Sequence, residues 1–248
     1  MRTRYATGLA SLALTTALTA AASADEARCE AVLAGVRRLV LVTVRGVDER
    51  QGNLHLFERT RPDAPWRVSS KVEPAVIGRA GLAWGHRFRA QARDGERLKH
   101  EGDGRTPAGF YRIGRSFGFS ASARPGHLVL EPGRAICIDD PGSPAYNTIV
   151  AAEPDAVKPR GEDMGAEPLY RRGLVIDYPS DARARAGSCI FLHVWRGPGQ
   201  GTAGCVALPE PRVKAIQDFA DEGSVIAILP EQALSRFRVC LKGTAMAR

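Results

Sequence analysis

Short apolar runs, separated by polar and glycine-rich breaks, recur along this chain. Residues 38–45 (RLVLVTVR) form an apolar run bracketed by arginines and predict a strand. Residues 53–58 (NLHLFE) predict its hairpin partner, with Gly52 in the turn. Alternation continues over 66–71 (WRVSSK), and 77–85 (IGRAGLAWG) reads as a tight strand–loop passage. Residues 101–113 (EGDGRTPAGFYRI) predict a turn, supported by Pro107, that leads into a strand. The Pro-, Gly- and Asp-rich stretch 125–163 reads mostly as loop. Residues 174–178 (LVIDY), 188–195 (SCIFLHVW) and 225–229 (VIAIL) predict buried strands. Over 210–222, Val213, Ile216, Phe219 and Ala220 fall at helical spacing and Gly223 supplies a stop. Many short strands with one substantial helix predict a mainly β domain.

The first residues follow another pattern. Arg2 and Arg4 precede a charge-free run rich in Ala, Leu and Thr, and Ala22-Ser23-Ala24 is a small-x-small triplet. That order predicts a secretory signal peptide over residues 1–24, leaving 25–248 as a single exported domain. No later apolar stretch reaches the ~18 residues of a spanning helix, so no membrane span is expected after cleavage.

At 44% hydrophobic and 25% charged residues, the composition is that of a globular protein with a sizeable core. Of the formal net charge of +8, the two leader arginines account for two, leaving +8 − 2 = +6. Lysines and arginines are scattered without a dense run or interleaved aromatics, which argues against nucleic acid as a partner. An anionic cell-wall surface suits this charge, although charge alone does not establish it.

Export gives the cysteines meaning. Cys29, Cys137, Cys189, Cys205 and Cys240 make an odd number, consistent with two disulfides and one free thiol. Cys29 and Cys240 lie near the two mature ends and are expected to clamp them, which leaves Cys137 with Cys189.

The chemistry concentrates in 188–208, SCIFLHVWRGPGQGTAGCVAL. Strand alternation puts Cys189, Phe191, His193 and Trp195 on one face and Ile190, Leu192 and Val194 on the other. A zinc site from Cys189, His193 and Cys205 is disfavoured. Four strand steps of ~3.3 Å separate the first two by about 13 Å, beyond the reach of one ion. Gly204 permits close backbone approach, so the amides of Gly204 and Cys205 are candidate oxyanion donors. Two readings of Cys205 stand here: a nucleophile served by His193, or a buried or disulfide-bonded cysteine at a turn. Gly102, Gly104 and Gly109 do not make a phosphate loop, because no Lys-Ser/Thr pair follows. His55, His86, His100 and His127 lie in polar surroundings and read as surface histidines.

At these residues the chain resembles the L,D-transpeptidase catalytic domain family, in a branch with a Thr-Ala-Gly-Cys motif. FLHVWRGPGQGTAGCVAL carries the likeness, together with EGDGRTPAGFYRIG (101–114), LVIDY, and Asp139, Asp140, Pro141, Tyr146 and Asn147. The resemblance covers roughly 39–229. It implies a β-sandwich of mixed sheets, with Cys205 as nucleophile, His193 as base and the Val194 carbonyl orienting the histidine. It also implies a thioester route on peptidoglycan stem peptides, in the periplasm or cell wall, with no metal or organic cofactor. Thr202, Trp195, Arg196 and Asp177 are the candidate substrate-binding residues. Arg196 reads equally as a stem-carboxylate ligand or a solvated loop arginine, and Trp195 as pocket or core. In the commoner family pattern a histidine stands where this chain has Ala203, and the loop from His193 is longer. L,D-carboxypeptidase or hydrolase activity from the same pair is the nearest alternative, and a non-catalytic wall-binding module is another.

Overall fold

A computed structural model of the chain describes residues 24–153, 159–221 and 223–247. The expected signal peptide lies outside them except for Ala24, as does residue 222, where the helix of 210–222 was expected to end. The elements run α1 (Ala24–Leu33), β1 (Arg38–Val44), β2 (Gln51–Glu58), β3 (Arg67–Val68), β4 (Glu73–Val76), β5 (Leu82–Trp84) and β6 (Thr106–Gly118). They continue with β7 (Leu128–Val129), β8 (Ala135–Cys137), β9 (Ile149–Ala151), β10 (Glu162–Asp163) and β11 (Arg172–Asp177). β12 (Phe191–Val194), β13 (Val206–Leu208), α2 (Glu210–Phe219) and β14 (Val225–Pro230) complete the chain.

The protein is mainly β, in mixed sheets. The large sheet runs β1-β14-β6-β11-β12-β13-β4-β2, and a further β1–β2 pairing closes it on itself. β3 extends β2, while β5 and β7 pair with the two ends of β6. β1 and β14 are buried almost throughout because each has a strand on both sides and layers on both faces. That is why their sequences read as continuous apolar runs rather than alternations. The strand expected over 66–71 is only two residues long, and the stretch 125–163 yields a separate three-stranded sheet, β10-β8-β9.

Among the described residues two α-helices of ten residues are present where periodicity predicts one. α2 lies against β11, β12 and β13, burying Val213, Ile216 and Gln217. The Gln217 amide donates to the Gly173 carbonyl at 2.8 Å, tying the helix to β11. α1 has almost no amphipathic pattern and instead buries Cys29 and Leu33, one turn apart, with Cys29 bonded to Cys240. Tertiary packing and a covalent link thus make a helix that periodicity could not announce.

Both expected disulfides form, Cys29–Cys240 and Cys137–Cys189, and Cys205 is a free, buried thiol. The main core includes Leu192, Val194, Val206 and Leu208, together with Phe88, Phe110 and Phe237. A second apolar cluster gathers Phe117, Leu130, Ala135, Cys137, Met164, Tyr170, Phe191 and Cys205. β12 and β13 therefore separate two cores. One face supports the fold, and the other carries Cys205.

Cys29–Cys240 spans 211 residues. Replacing both cysteines by serine is expected to cost about 2–5 kcal/mol, read as a lower urea midpoint with a steeper slope, because the unfolded chain loses a cross-link and exposes more surface. An unchanged midpoint would refute a clamping role.

Candidate active site

β12 and β13 run parallel, with Leu192 opposite Val206 and His193 opposite Ala207. Cys205, one residue before β13, thus stands beside Phe191, on the same face as His193 and two residues along. Ideal strand spacing puts the two Cα atoms about 8 Å apart. The Phe191 amide donates to Cys205 Sγ at 3.3 Å, and the thiol donates to the Cys189 carbonyl at 3.5 Å. His193 and Cys205 are both buried, at 4% and 6% exposure.

Two hydroxyls hold the Cys205 backbone. Thr202 Oγ1 donates to the Cys205 carbonyl at 2.7 Å, and Thr106 Oγ1 donates to it at 3.1 Å. Thr106 also accepts the Gly78 amide at 2.8 Å, so its hydroxyl ties the 101–114 motif to both Gly78 and the Cys205 turn. Thr202 therefore acts as a clamp of the turn, its hydroxyl being occupied internally. The Gly204 amide differs from expectation as well, because it donates to Thr202 Oγ1 at 3.1 Å. The Cys205 amide is then the donor this turn offers to an oxyanion. Gly204 is close-packed: a Cβ there would meet the Arg105 carbonyl at 3.2 Å.

His193 Nδ1 lies 2.8 Å from the Val194 carbonyl. That contact makes Nδ1 the protonated nitrogen and leaves the Nε2 lone pair free, the tautomer a general base needs. Burial lowers the imidazole to about 4, against the raising pull of the Val194 hydrogen bond, so it rests neutral. Burial pushes the Cys205 thiol up to about 12, and the Glu162 carboxylate adds to the rise. The resting pair is thus neutral thiol and neutral imidazole.

The alternation expected from Cys189 to Trp195 holds over Phe191–Val194 only. Cys189 adopts φ 55°, a left-handed conformation that breaks the strand, and is held by Cys137. Its bond to Cys137 also removes Cys189 from any metal site. Trp195, past the strand end, lines a depression with Thr43, Asn53 and Pro198, apart from Cys205. Arg196 is exposed, and its charge lowers the His193 pKa. Asp177 lines a pocket of about 630 Å³ whose walls include Arg115, Asn147, Cys137, Cys189 and Phe191. Desolvation raises its carboxyl, opposed by the Arg115 guanidinium. This pocket borders the disulfide and Phe191, which pack with Cys205 in the second cluster.

The loop motifs converge on the same place. Asn147 donates to the Tyr178 carbonyl at 2.8 Å and accepts the Cys189 amide at 3.0 Å. Glu101 accepts the Tyr146 hydroxyl, and the Ser188 hydroxyl at 2.6 Å. Among the other histidines, His86 is within 3.6 Å of Asp181 and His127 Nδ1 within 2.8 Å of Ser116 Oγ.

Two side chains near Cys205 escaped sequence reasoning. Tyr170, in the 3-10 turn Pro168–Arg171, packs its ring against His193 with centroids 5.0 Å apart. Its hydroxyl donates to both oxygens of Glu162, at 3.0 Å each, and its presence beside Cys205 lowers the thiol pKa. No periodic signal links Glu162, Tyr170 and Cys205, since the first two sit in short irregular elements.

Residues 50–228 match the YkuD family model, described as the L,D-transpeptidase catalytic domain. No curated protein and no solved structure matches the chain.

The lowered His193 pKa has a consequence for acid stability. An unfolded imidazole titrates near 6.5 and the folded one near 4. The unfolded state therefore binds the extra proton first, and stability present above pH ~6.5 is lost as pH falls towards 4. At 1.36 kcal/mol per unit this is roughly 3 kcal/mol. Urea titrations at pH 7 and 4 are expected to show His193→Gln losing that much less than the parent. Equal losses would refute a buried neutral histidine.

Proposed function

Because the chain belongs to the L,D-transpeptidase catalytic domain family, we propose that it is an exported cysteine acyltransferase that remodels peptidoglycan stem peptides. The observation that carries this reading is the free Cys205 on the same face as a neutral His193, across the β12–β13 pairing. The Cys205 proton passes to His193 Nε2, and the sulfur attacks the carbonyl of an L-residue that precedes a D-amino acid. The Cys205 amide faces the developing oxyanion. Collapse of the tetrahedral adduct expels the D-residue, which takes the proton from His193 and leaves a thioester. An amine from a second stem then attacks the thioester and forms the cross-link, His193 accepting the amine's proton and returning it to sulfur. Every proton is accounted for by His193, and no metal or organic cofactor enters.

The pocket beside the disulfide supports a role in stem binding, with Asn147, Asp177 and Arg115 offering polar contacts. Arg196, exposed near His193, suits a stem carboxylate. The basic balance of the chain and the N-terminal pattern support export to a wall environment in the periplasm or beyond. Among the described residues no helix is long and apolar enough to cross a membrane.

Incubation of the oxidised mature chain with purified tetrapeptide-bearing muropeptides tests the reading by mass spectrometry. Cross-linked dimers with release of a D-amino acid are expected, and free tripeptide alone would replace transfer by hydrolysis. Cys205→Ala is expected to abolish turnover, and His193→Gln to slow it by about 10²–10⁴-fold. Turnover that survives Cys205→Ala would sink the cysteine mechanism.

A further inference from the structure

The acyl transfer just described makes no use of the Glu162–Tyr170 pair, although the pair reaches the reacting sulfur. Tyr170 is buried at 4% exposure, with its ring wedged between Phe191 and His193 at 5.4 and 5.0 Å. Its hydroxyl donates to Glu162, and the residue shares the second apolar cluster with Cys205, whose thiol it influences. A phenol owns one proton, and here two groups compete for it. While Glu162 is ionised the phenol donates to the carboxylate and has no proton to offer the sulfur, whose own S–H points to the Cys189 carbonyl. The thiol then keeps its proton. Once Glu162 is protonated, its own O–H donates to the phenol oxygen. The phenol proton turns to the sulfur and joins the Phe191 amide in stabilising a thiolate.

We propose that the Tyr170 phenol is a further catalytic residue, the side-chain hydrogen-bond donor to the Cys205 thiolate, and that Glu162 is the positioning residue that directs that donor. This rests on Cys205 being the nucleophile. In the activating step the S–H bond breaks, the proton forms an N–H bond at His193 Nε2, and the electron pair stays on sulfur. Reorientation of the phenol proton accompanies it without further loss or gain. Glu162 and Cys205 thereby titrate as one coupled system rather than as two independent groups.

The surroundings of the pair put its switching near neutrality. Desolvation lifts Glu162 to about 7, with Glu167 and Asp139 adding like charge and the Tyr170 hydroxyl opposing them. Asp163, next to it in β10, is turned to the Gly133 and Gly165 amides. Facing Cys205 are Glu162, which raises the thiol, and Tyr170 and Lys99, which lower it. Facing His193 are Glu167 and Arg196, of opposite effect.

Iodoacetamide labelling of Cys205 in the oxidised mature chain, followed by mass spectrometry from pH 5 to 9, tests the coupling without any peptidoglycan. For the parent, the rate constant is expected to climb about tenfold per pH unit and to level off near pH 7, where ionising Glu162 begins to hold the thiol protonated. Glu162→Gln should track the parent below pH 6 and keep climbing above pH 7, overtaking it about tenfold by pH 8. Tyr170→Phe should slow labelling below pH 7 by about tenfold, the loss of one hydrogen bond to a charged sulfur. A levelling that persists in Glu162→Gln would overturn the proposal, and so would an equal rise at every pH, which signals loosening. If Glu162→Gln does not fold, Glu162→Asp serves: it retains the levelling at a shifted pH, and an unshifted midpoint would count against Glu162. Failure of muropeptide turnover with the labelling profile intact would remove the enzyme reading and leave the coupling standing.

Discussion

The parallel pairing of β12 with β13 is the constraint on which the site depends. It sets Leu192 against Val206 and His193 against Ala207, and so brings a histidine and a cysteine twelve positions apart onto one face. A slip of one residue would turn Cys205 into the main core and bring Val206 to the site. The closed sheet guards that register. β11 and β4 flank the two short strands, α2 covers them, and Leu192, Val194, Val206 and Leu208 are locked in the main core. Chain segments then converge on the Cys205 end of the pairing, with Thr106 and Thr202 both holding the Cys205 carbonyl.

Burial then shapes the chemistry. Removing water from this face disfavours charge on each group, which lowers His193 and raises Cys205, Tyr170 and Glu162. The resting site is therefore a set of neutral or nearly neutral groups, joined by short contacts, among which protons can be redistributed. The same apolar cluster packs Cys205 together with the Cys137–Cys189 disulfide. Reactivity and fold are linked here, because the residues that bury Cys205 are those of the second core.

Much of the fold was legible along the chain. The runs at 38–45 and 225–229 announced central strands because burial on both faces leaves no room for alternation. The helix at 210–219 announced itself by spacing. α1 did not, since its place depends on Cys29 bonding Cys240 rather than on an apolar stripe. The small sheet β10-β8-β9 was equally silent: strands of two or three residues are too short to show a period, and their stability comes from the layer beneath.

For the site, the sequence by itself singled out the candidate reacting residues. An odd cysteine behind a glycine, a histidine on an apolar strand and the flanking motifs pointed to Cys205 and His193, and the position of Cys29 and Cys240 near the mature ends suggested the pairing of the other four cysteines. Tertiary structure alone decided their surroundings. It broke the strand at Cys189, turned Thr202 and the Gly204 amide inward, left Trp195 facing another depression, and joined Glu162 to Tyr170 in the cluster that holds Cys205. The reason is physical. Periodicity reports which face of a local element is buried, whereas these contacts join single residues from separate irregular turns, whose meeting is set by how the layers close over Cys205.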